Sequence, residues 1–191
     1  MNIGLFFGTF NPIHNGHLAI AKYMLKTTAI EEVWFVVSPH NPLKEKNKLL
    51  NEKVRLRLVK MAVKDLAGMK VCDAEFHLPQ PSYTINTLKF LKQKFPEHIF
   101  SLIIGSDNLV SLPKWKNYKT ILRRHHIYVY RRSKKIKSPL LYGHHVFLTY
   151  SPLMQVSSTE VRKRIREGKS VKKFLPEKIR MEVEKKKYFL K

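Results

Sequence analysis

The feature that most constrains this chain is a repeated alternation of short apolar runs, rich in β-branched and aromatic residues, with stretches of helical spacing. The runs are Ile3 to Phe7, Val33 to Val37, a weaker Lys70 to Asp73, Phe100 to Ile104, Ile127 to Tyr130 and Val146 to Thr149. Their near-continuous apolar character suits strands buried on both faces. Between them, Leu18, Ala21 and Leu25 share one helical face, as do Val54, Leu58, Met61 and Ala62, and then Ile85, Leu88, Leu91 and Phe95. Strand and helix therefore alternate from residue 3 to about residue 150, and the segment beyond reads as helical. The expected fold is α/β: an open parallel sheet with helices on both faces, right-handed crossovers and a helical C-terminal segment.

With 191 residues, one domain is expected over 1–191, its sheet core in 1–150 and its helical part in 151–191. In open α/β sheets ligands bind beyond the carboxyl ends of the strands. Two loops are therefore of interest: Ser38 to Lys44, directly after a strand, and Ser133 to Gly143, with its basic cluster and Pro139. Composition narrows the partners. Thirty-seven Lys and Arg against 14 Asp and Glu give a formal charge of +23, which favours nucleic acid, an anionic membrane surface or phosphorylated small molecules without choosing among them. The single Cys72 excludes an intramolecular disulfide framework and agrees with a reducing compartment, so a cytoplasmic location is expected. No signal peptide is read at the N-terminus, and no apolar run reaches the ~20 residues of a membrane span.

The segment Gly8-Thr9-Phe10-Asn11-Pro12-Ile13-His14-Asn15-Gly16-His17 joins the first strand to the first helix, which His17 is expected to open. Gly8 permits a tight turn and Gly16 a close backbone approach. A helix start offers unpaired N–H groups and partial positive charge, which suit a phosphate, and two histidines add donors there. Metal ligation by His14 and His17 is the rival reading, but no third ligand accompanies them at a familiar spacing. Near the other end, Ser157 and Glu160 form a capping-box pattern before a helix carrying Val161 and Ile165.

The first of these segments resembles the G-x-F-x-P-x-H-x-G-H signature of the HxGH nucleotidyltransferases. Phe7 stands where a second glycine is frequent and Asn11 where Asp is frequent. The resemblance implies a Rossmann-like sheet, ATP as nucleotidyl donor and pyrophosphate as leaving group. Val156-Ser157-Ser158-Thr159-Glu160-Val161-Arg162 is similar to the family's S-S-T-x-x-R motif, which assigns Ser157, Ser158, Thr159 and Arg162 to the ATP phosphates. Lys44, after Pro39 and Pro42, resembles the lysine of a P-x-x-P-x-K loop that reaches the reacting phosphates. His14, His17, Lys44 and Arg162 are thus the expected catalytic residues. Gly8, Thr9, Phe10, Gly16, Gly105, Asp107 and Arg132 join them on the ATP side, with Arg131 beside Arg132 in a place where the family often carries an Arg pair. Mg²⁺ is expected mainly on the ATP phosphates, with no protein metal site, because magnesium keeps waters and uses few carboxylates.

Three further segments bear on the acceptor. Ser82-Tyr83-Thr84-Ile85-Asn86-Thr87-Leu88 resembles the S-Y-T-x-x-T-L segment of nicotinate-nucleotide adenylyltransferases, which places the pyridine carboxylate on Thr84, with Tyr83 beside it. Gly105-Ser106-Asp107-Asn108-Leu109 and Leu112-Pro113-Lys114-Trp115 resemble the same family's G-x-D-x-L and L-P-x-W pair, so that Trp115 would stack on the pyridine ring. Taken singly, Thr84 reads as a capped helix start, Trp115 as core and Asp107 as a turn residue. Together they imply adenylyl transfer from ATP to nicotinate mononucleotide in NAD biosynthesis, with nicotinamide mononucleotide or phosphopantetheine as alternative acceptors. A basic nucleic-acid-binding module is the alternative from another class, and it requires none of these motifs. No specific nucleic acid and no membrane is expected as a partner, and homo-oligomer formation is left open.

Overall fold

The computed structural model describes residues 1–39, 49–132, 136–151 and 156–190. Lys44 therefore lies outside the described residues, with most of its loop. Six parallel strands form one sheet: β1 (Asn2–Gly8), β2 (Glu32–Val37), β3 (Met69–Cys72), β4 (Ile99–Gly105), β5 (Ile127–Tyr130) and β6 (Val146–Thr149), in the spatial order β3-β2-β1-β4-β5-β6. The helices are α1 (Asn15–Thr27), α2 (Glu52–Val63), α3 (Thr84–Lys94), α4 (Ser106–Ser111), α5 (Tyr118–Arg124), α6 (Ser158–Arg166) and α7 (Glu177–Lys185). This is the Rossmann-like α/β architecture with covered faces and a helical C-terminal segment.

The period of two along each strand sorts the core into two layers. Phe6, Val33, Phe35 and Val37 face α1, α2, α6 and α7, meeting Ile20, Met24, Leu58, Val161, Ile179 and Val183. Ile3, Leu5, Trp34 and Val36 face the opposite way, onto Ile85, Leu88 and Leu91 of α3, Leu109 of α4 and Ile121 of α5. Both strand faces are therefore apolar, which is why the runs do not alternate in sequence. Every fully buried Leu, Ile or Phe adds roughly 2 kcal/mol of transfer free energy.

Three expectations need adjustment. Helix α1 opens at Asn15 with His14 as its cap, not at His17, because His14 is still extended (φ −145°, ψ 168°). The buried face of α2 is Arg55, Leu58, Val59 and Val63; Val54, Met61 and Ala62 lie at its half-buried margin. The stretch after Arg132 includes a 3₁₀ turn at Pro139–Tyr142, capped by Ser138. Among the described residues, no helix is long and apolar enough to cross a membrane.

Candidate active site

Strands β1 and β4 are neighbours, yet α1 leaves β1 toward one face and α4 leaves β4 toward the other. A crevice must open outside their carboxyl ends. It does, as a cavity of about 610 Å³.

One wall is the turn from Gly8 to His14. Phe10 sits there at φ 45°, a left-handed conformation that costs an L residue roughly 1–2 kcal/mol. Its ring is 2% exposed and packs 5.0 Å from the His17 ring and 5.6 Å from Phe35. Burial of a Phe is worth roughly 2 kcal/mol, enough to offset that strain. The ring folds back over Gly8, where an added Cβ would stand 2.9 Å from it.

The histidines follow. The Nδ1 of His17 accepts the backbone N–H of His14 at 3.2 Å. An accepting imidazole nitrogen carries no proton, so His17 holds its proton on Nε2 and is a donor there. The His14 ring stacks on it at 3.6 Å with 20° between planes. Burial, assisted by the Arg132 charge, pushes the His14 pKa down to about 3, so His14 is neutral at physiological pH.

The opposite wall is the start of α6. Ser157 caps this helix by accepting the N–H of Glu160 at 3.1 Å. Ser158 Oγ donates to the Pro12 carbonyl at 2.9 Å, and Arg162 donates to the Asn11 carbonyl at 2.8 Å and to Thr159 Oγ1 at 3.3 Å. Residues far apart in sequence thus lock the two phosphate-type motifs together. Gly16 allows the approach, since an added Cβ would lie 2.5 Å from Val156. Asn11 Oδ1 accepts the N–H of Leu50 at 3.1 Å, a bond open to an amide or a carboxylate.

A residue that the sequence did not single out braces this end. Arg55 is 1% exposed and donates to the carbonyls of Thr9 (2.6 Å), Ser38 (2.8 Å), Pro39 (2.9 Å) and Leu50 (2.9 Å). Burial lowers its pKa to about 10, so the guanidinium stays charged at neutral pH. A buried cation bonded to four carbonyls adds positive potential behind the turn.

On the β4 side, Arg132 Nε stands 3.4 Å from Asp107, its guanidinium donates to Tyr130 Oη at 2.9 Å, and its N–H meets Ser106 Oγ at 3.1 Å. A Cβ on Gly105 would collide with the Asp107 carboxyl.

The remaining end is different in kind. Tyr83 precedes α3, and the N–H groups of Asn86 and Thr87 point to its carbonyl. The first-turn N–H groups and the helix dipole favour a carboxylate at this helix start. Lys116 lies 4.7 Å over the Tyr83 ring. Trp115 is half-buried, with its Nε1 enclosed and unpartnered among the described residues. Ser82, from the S-Y-T segment, lines the same end, as does Glu75, which no motif includes. Glu75 lies in a 3₁₀ turn, and no residue spacing marks it.

Of the expected site residues, Gly8, Thr9, Phe10, His17, Tyr83, Thr84, Asp107, Trp115, Arg132, Ser157, Ser158, Thr159 and Arg162 all line the one cavity. His14 and Gly16 line a smaller one of about 310 Å³ behind the histidines, with Arg131, Arg132 and Ser157. Gly105 shapes the floor through Asp107 and Arg132 without lining either cavity. The arrangement can hold a polyanion at one end and a flat aromatic acid at the other, with the His17 donor at the anion end.

Fold and site define a class: an α/β nucleotide-binding protein with an anion cradle sealed by its C-terminal part. Comparison with known proteins agrees and narrows it. The family model described as Cytidylyltransferase-like matches residues 5–164. The probable nicotinate-nucleotide adenylyltransferases of Flavobacterium psychrophilum and Flavobacterium johnsoniae are each 49% identical to this chain over 181 residues, 94% of either sequence. The nicotinic acid mononucleotide adenylyltransferase of Plasmodium falciparum, solved in complex with NaAD, superposes with a TM-score of 0.84 at 20% identity, covering 98% of this chain and 97% of that one. The chain belongs to the nicotinate-nucleotide adenylyltransferase family, within the cytidylyltransferase-like group.

Proposed function

We propose that this protein transfers the adenylyl group of ATP to nicotinate mononucleotide, forming nicotinate adenine dinucleotide and pyrophosphate. One observation carries the reading: the cation-braced turn of His17 and Arg162 and the aromatic acid-receiving end of Tyr83, Thr84 and Trp115 share a single cavity. The whole chain acts as one nucleotidyltransferase unit, and its single free thiol suits the cytoplasm.

The acceptor's 5′-phosphate oxygen attacks the α-phosphorus of ATP as the bond to the β-phosphate oxygen breaks, and pyrophosphate leaves. Nucleophile and leaving group are already anionic, so positioning and charge neutralisation supply most of the acceleration. His17 Nε2 donates to an oxygen of the reacting phosphate, and neutral His14 holds its ring in place by stacking. Arg162, Thr159 and the N–H groups at the start of α6 receive the β and γ phosphates, and the family resemblance assigns Lys44, outside the described residues, to the same oxygens. Asp107 and Arg132 hold the adenosine side. Thr84 and the start of α3 receive the pyridine carboxylate, and Trp115 covers the ring. Among the described residues no group of three His, Cys, Asp or Glu is placed to hold a metal. Magnesium, which the resemblance implies, would be held mainly by triphosphate oxygens and water and would supply neutralising charge to the leaving pyrophosphate.

Pyrophosphate release should require Mg²⁺-ATP and be fastest with nicotinate mononucleotide, compared with nicotinamide mononucleotide and phosphopantetheine. His17→Ala should lower kcat by about a hundredfold or more, the usual loss on deleting a transition-state donor. Faster turnover with another acceptor would sink the roles given to Thr84 and Trp115. No turnover with any acceptor would sink the enzyme.

A further inference from the structure

Among the described residues, three buried polar atoms at the acceptor end have no hydrogen-bond partner: Glu75 Oε2, Ser82 Oγ and Trp115 Nε1. Buried polar groups normally find partners, so such a cluster calls for an explanation. Glu75 stands out among them because it is an acid, 2% exposed, and among the described residues it has no Lys or Arg paired with it. Its Oε1 accepts a hydrogen bond from Thr87 Oγ1 at 3.0 Å, inside the first turn of α3. The hydroxyls of Ser38, at the carboxyl end of β2, and of Ser82, just before α3, face the same carboxyl, although neither Oε2 nor Ser82 Oγ completes a bond. One side chain therefore touches the 3₁₀ turn that carries it, a strand end, and the helix whose start faces the acceptor.

We infer that Glu75 is a positioning residue for the acceptor, fixing the Ser82–Thr84 turn and the start of α3 so that they receive the pyridine carboxylate. This rests on the acceptor proposed above.

Among the described residues, the hydroxyls of Thr87, Ser38 and Ser82 face Glu75, and Cys72, at the end of β3, is a titratable group near it. Burial without a cation raises its pKa, and the three hydroxyls oppose that rise without cancelling it. The carboxyl has two oxygens, so it can bond Thr87 and Ser82 together. An amide can do the same, and a methyl cannot.

The experiment measures KM for nicotinate mononucleotide and for ATP, with kcat, in Glu75→Ala and Glu75→Gln. Glu75→Ala should raise the acceptor KM about tenfold, as expected for loss of a buried hydrogen-bonding group, while the ATP KM stays within about twofold. Glu75→Gln should restore the acceptor KM to within about threefold of the unmodified protein. Should Glu75→Ala fail to fold, Thr87→Val removes the Oε1 partner at nearly constant volume and should shift the acceptor KM in the same direction. An unchanged acceptor KM, a parallel rise for both substrates, or failure of Glu75→Gln to rescue would each overturn the inference. An unmodified protein that does not turn over nicotinate mononucleotide would sink the acceptor assignment and this inference with it; normal turnover with an indifferent Glu75 sinks the inference alone.

Discussion

The two ends of the cavity are built on opposite plans. At the His17 end, hydrogen bonds tie backbone to side chain across the whole molecule: Arg55 to Thr9, Ser158 to Pro12, Arg162 to Asn11 and Asn11 to Leu50. At the Trp115 end, three buried polar atoms are left without partners among the described residues, against one, His14 Nδ1, at the histidine end. The first end is braced before any ligand arrives, so a polyanion meets fixed cations and dipoles and little reorganisation is required. The second keeps bonding capacity in reserve, and unpaired groups discriminate strongly, because a ligand that cannot pair them leaves a buried cost of roughly 1–3 kcal/mol. On the proposed function, the first end serves affinity for phosphate and the second the choice of acceptor.

Arg55→Met breaks the braced end with the largest expected effect. The substitution keeps much of the buried volume but strips hydrogen bonds from the carbonyls of Thr9, Ser38, Pro39 and Leu50. Stranding buried polar groups costs roughly 1–3 kcal/mol each, partly relieved by water, so a net loss on the order of 3 kcal/mol is expected in urea unfolding. At temperatures where the variant stays folded, the ATP KM should rise more than the acceptor KM. Equal stability in the variant and the unmodified protein would show that the brace does not hold the turn.

A pH titration tests the same end through His14. Its folded pKa, about 3, lies below the unfolded value of 6.5, so folding favours the neutral ring. That contribution is complete above pH ~6.5 and is lost as the pH falls toward 3, because the unfolded chain then binds the proton more readily. At pH 5 the loss from this residue is about 2 kcal/mol. Urea unfolding at pH 7 and pH 5 should show a smaller drop for His14→Asn than for the unmodified protein. The same drop in both would mean that the ring titrates normally.

How much of this was legible in the sequence depended on whether a residue announced itself by pattern. All six strands could be read because burial on both faces leaves continuous apolar runs such as Val33 to Val37. Helices α4 and α5 were missed, being six and seven residues long and too short to display a period. Arg55 was missed because a charged residue is ordinarily counted as solvent-facing, and only the tertiary structure gathers four carbonyls around it. Glu75 left no trace for a related reason: the hydroxyls around it come from Ser38, after β2, and from Ser82 and Thr87, at the start of α3, and only the fold brings these segments together. Motifs that act through the local backbone, such as the Gly8–His17 turn and the Ser157 cap, could be read directly.

At the open end, Trp115 gives the smallest expected effect and the sharpest test of the contrast. Trp115→Ala removes a stacking surface worth roughly 1–2 kcal/mol to a pyridinium ring, so the acceptor KM should rise about tenfold, while the ATP KM changes by less than about twofold. Trp115→Phe divides that effect, since it keeps an aromatic face and deletes the unpartnered Nε1 donor. A near-normal acceptor KM in the Phe variant would assign the contribution to stacking alone. A loss close to that of the Ala variant would mean that the acceptor, once bound, pairs with the indole N–H, and that the reserve of bonding capacity at this end is spent on the acceptor itself. Equal rises for both substrates in Trp115→Ala would remove the contrast altogether, because the two ends would then be reporting on one shared structure and not on two binding plans.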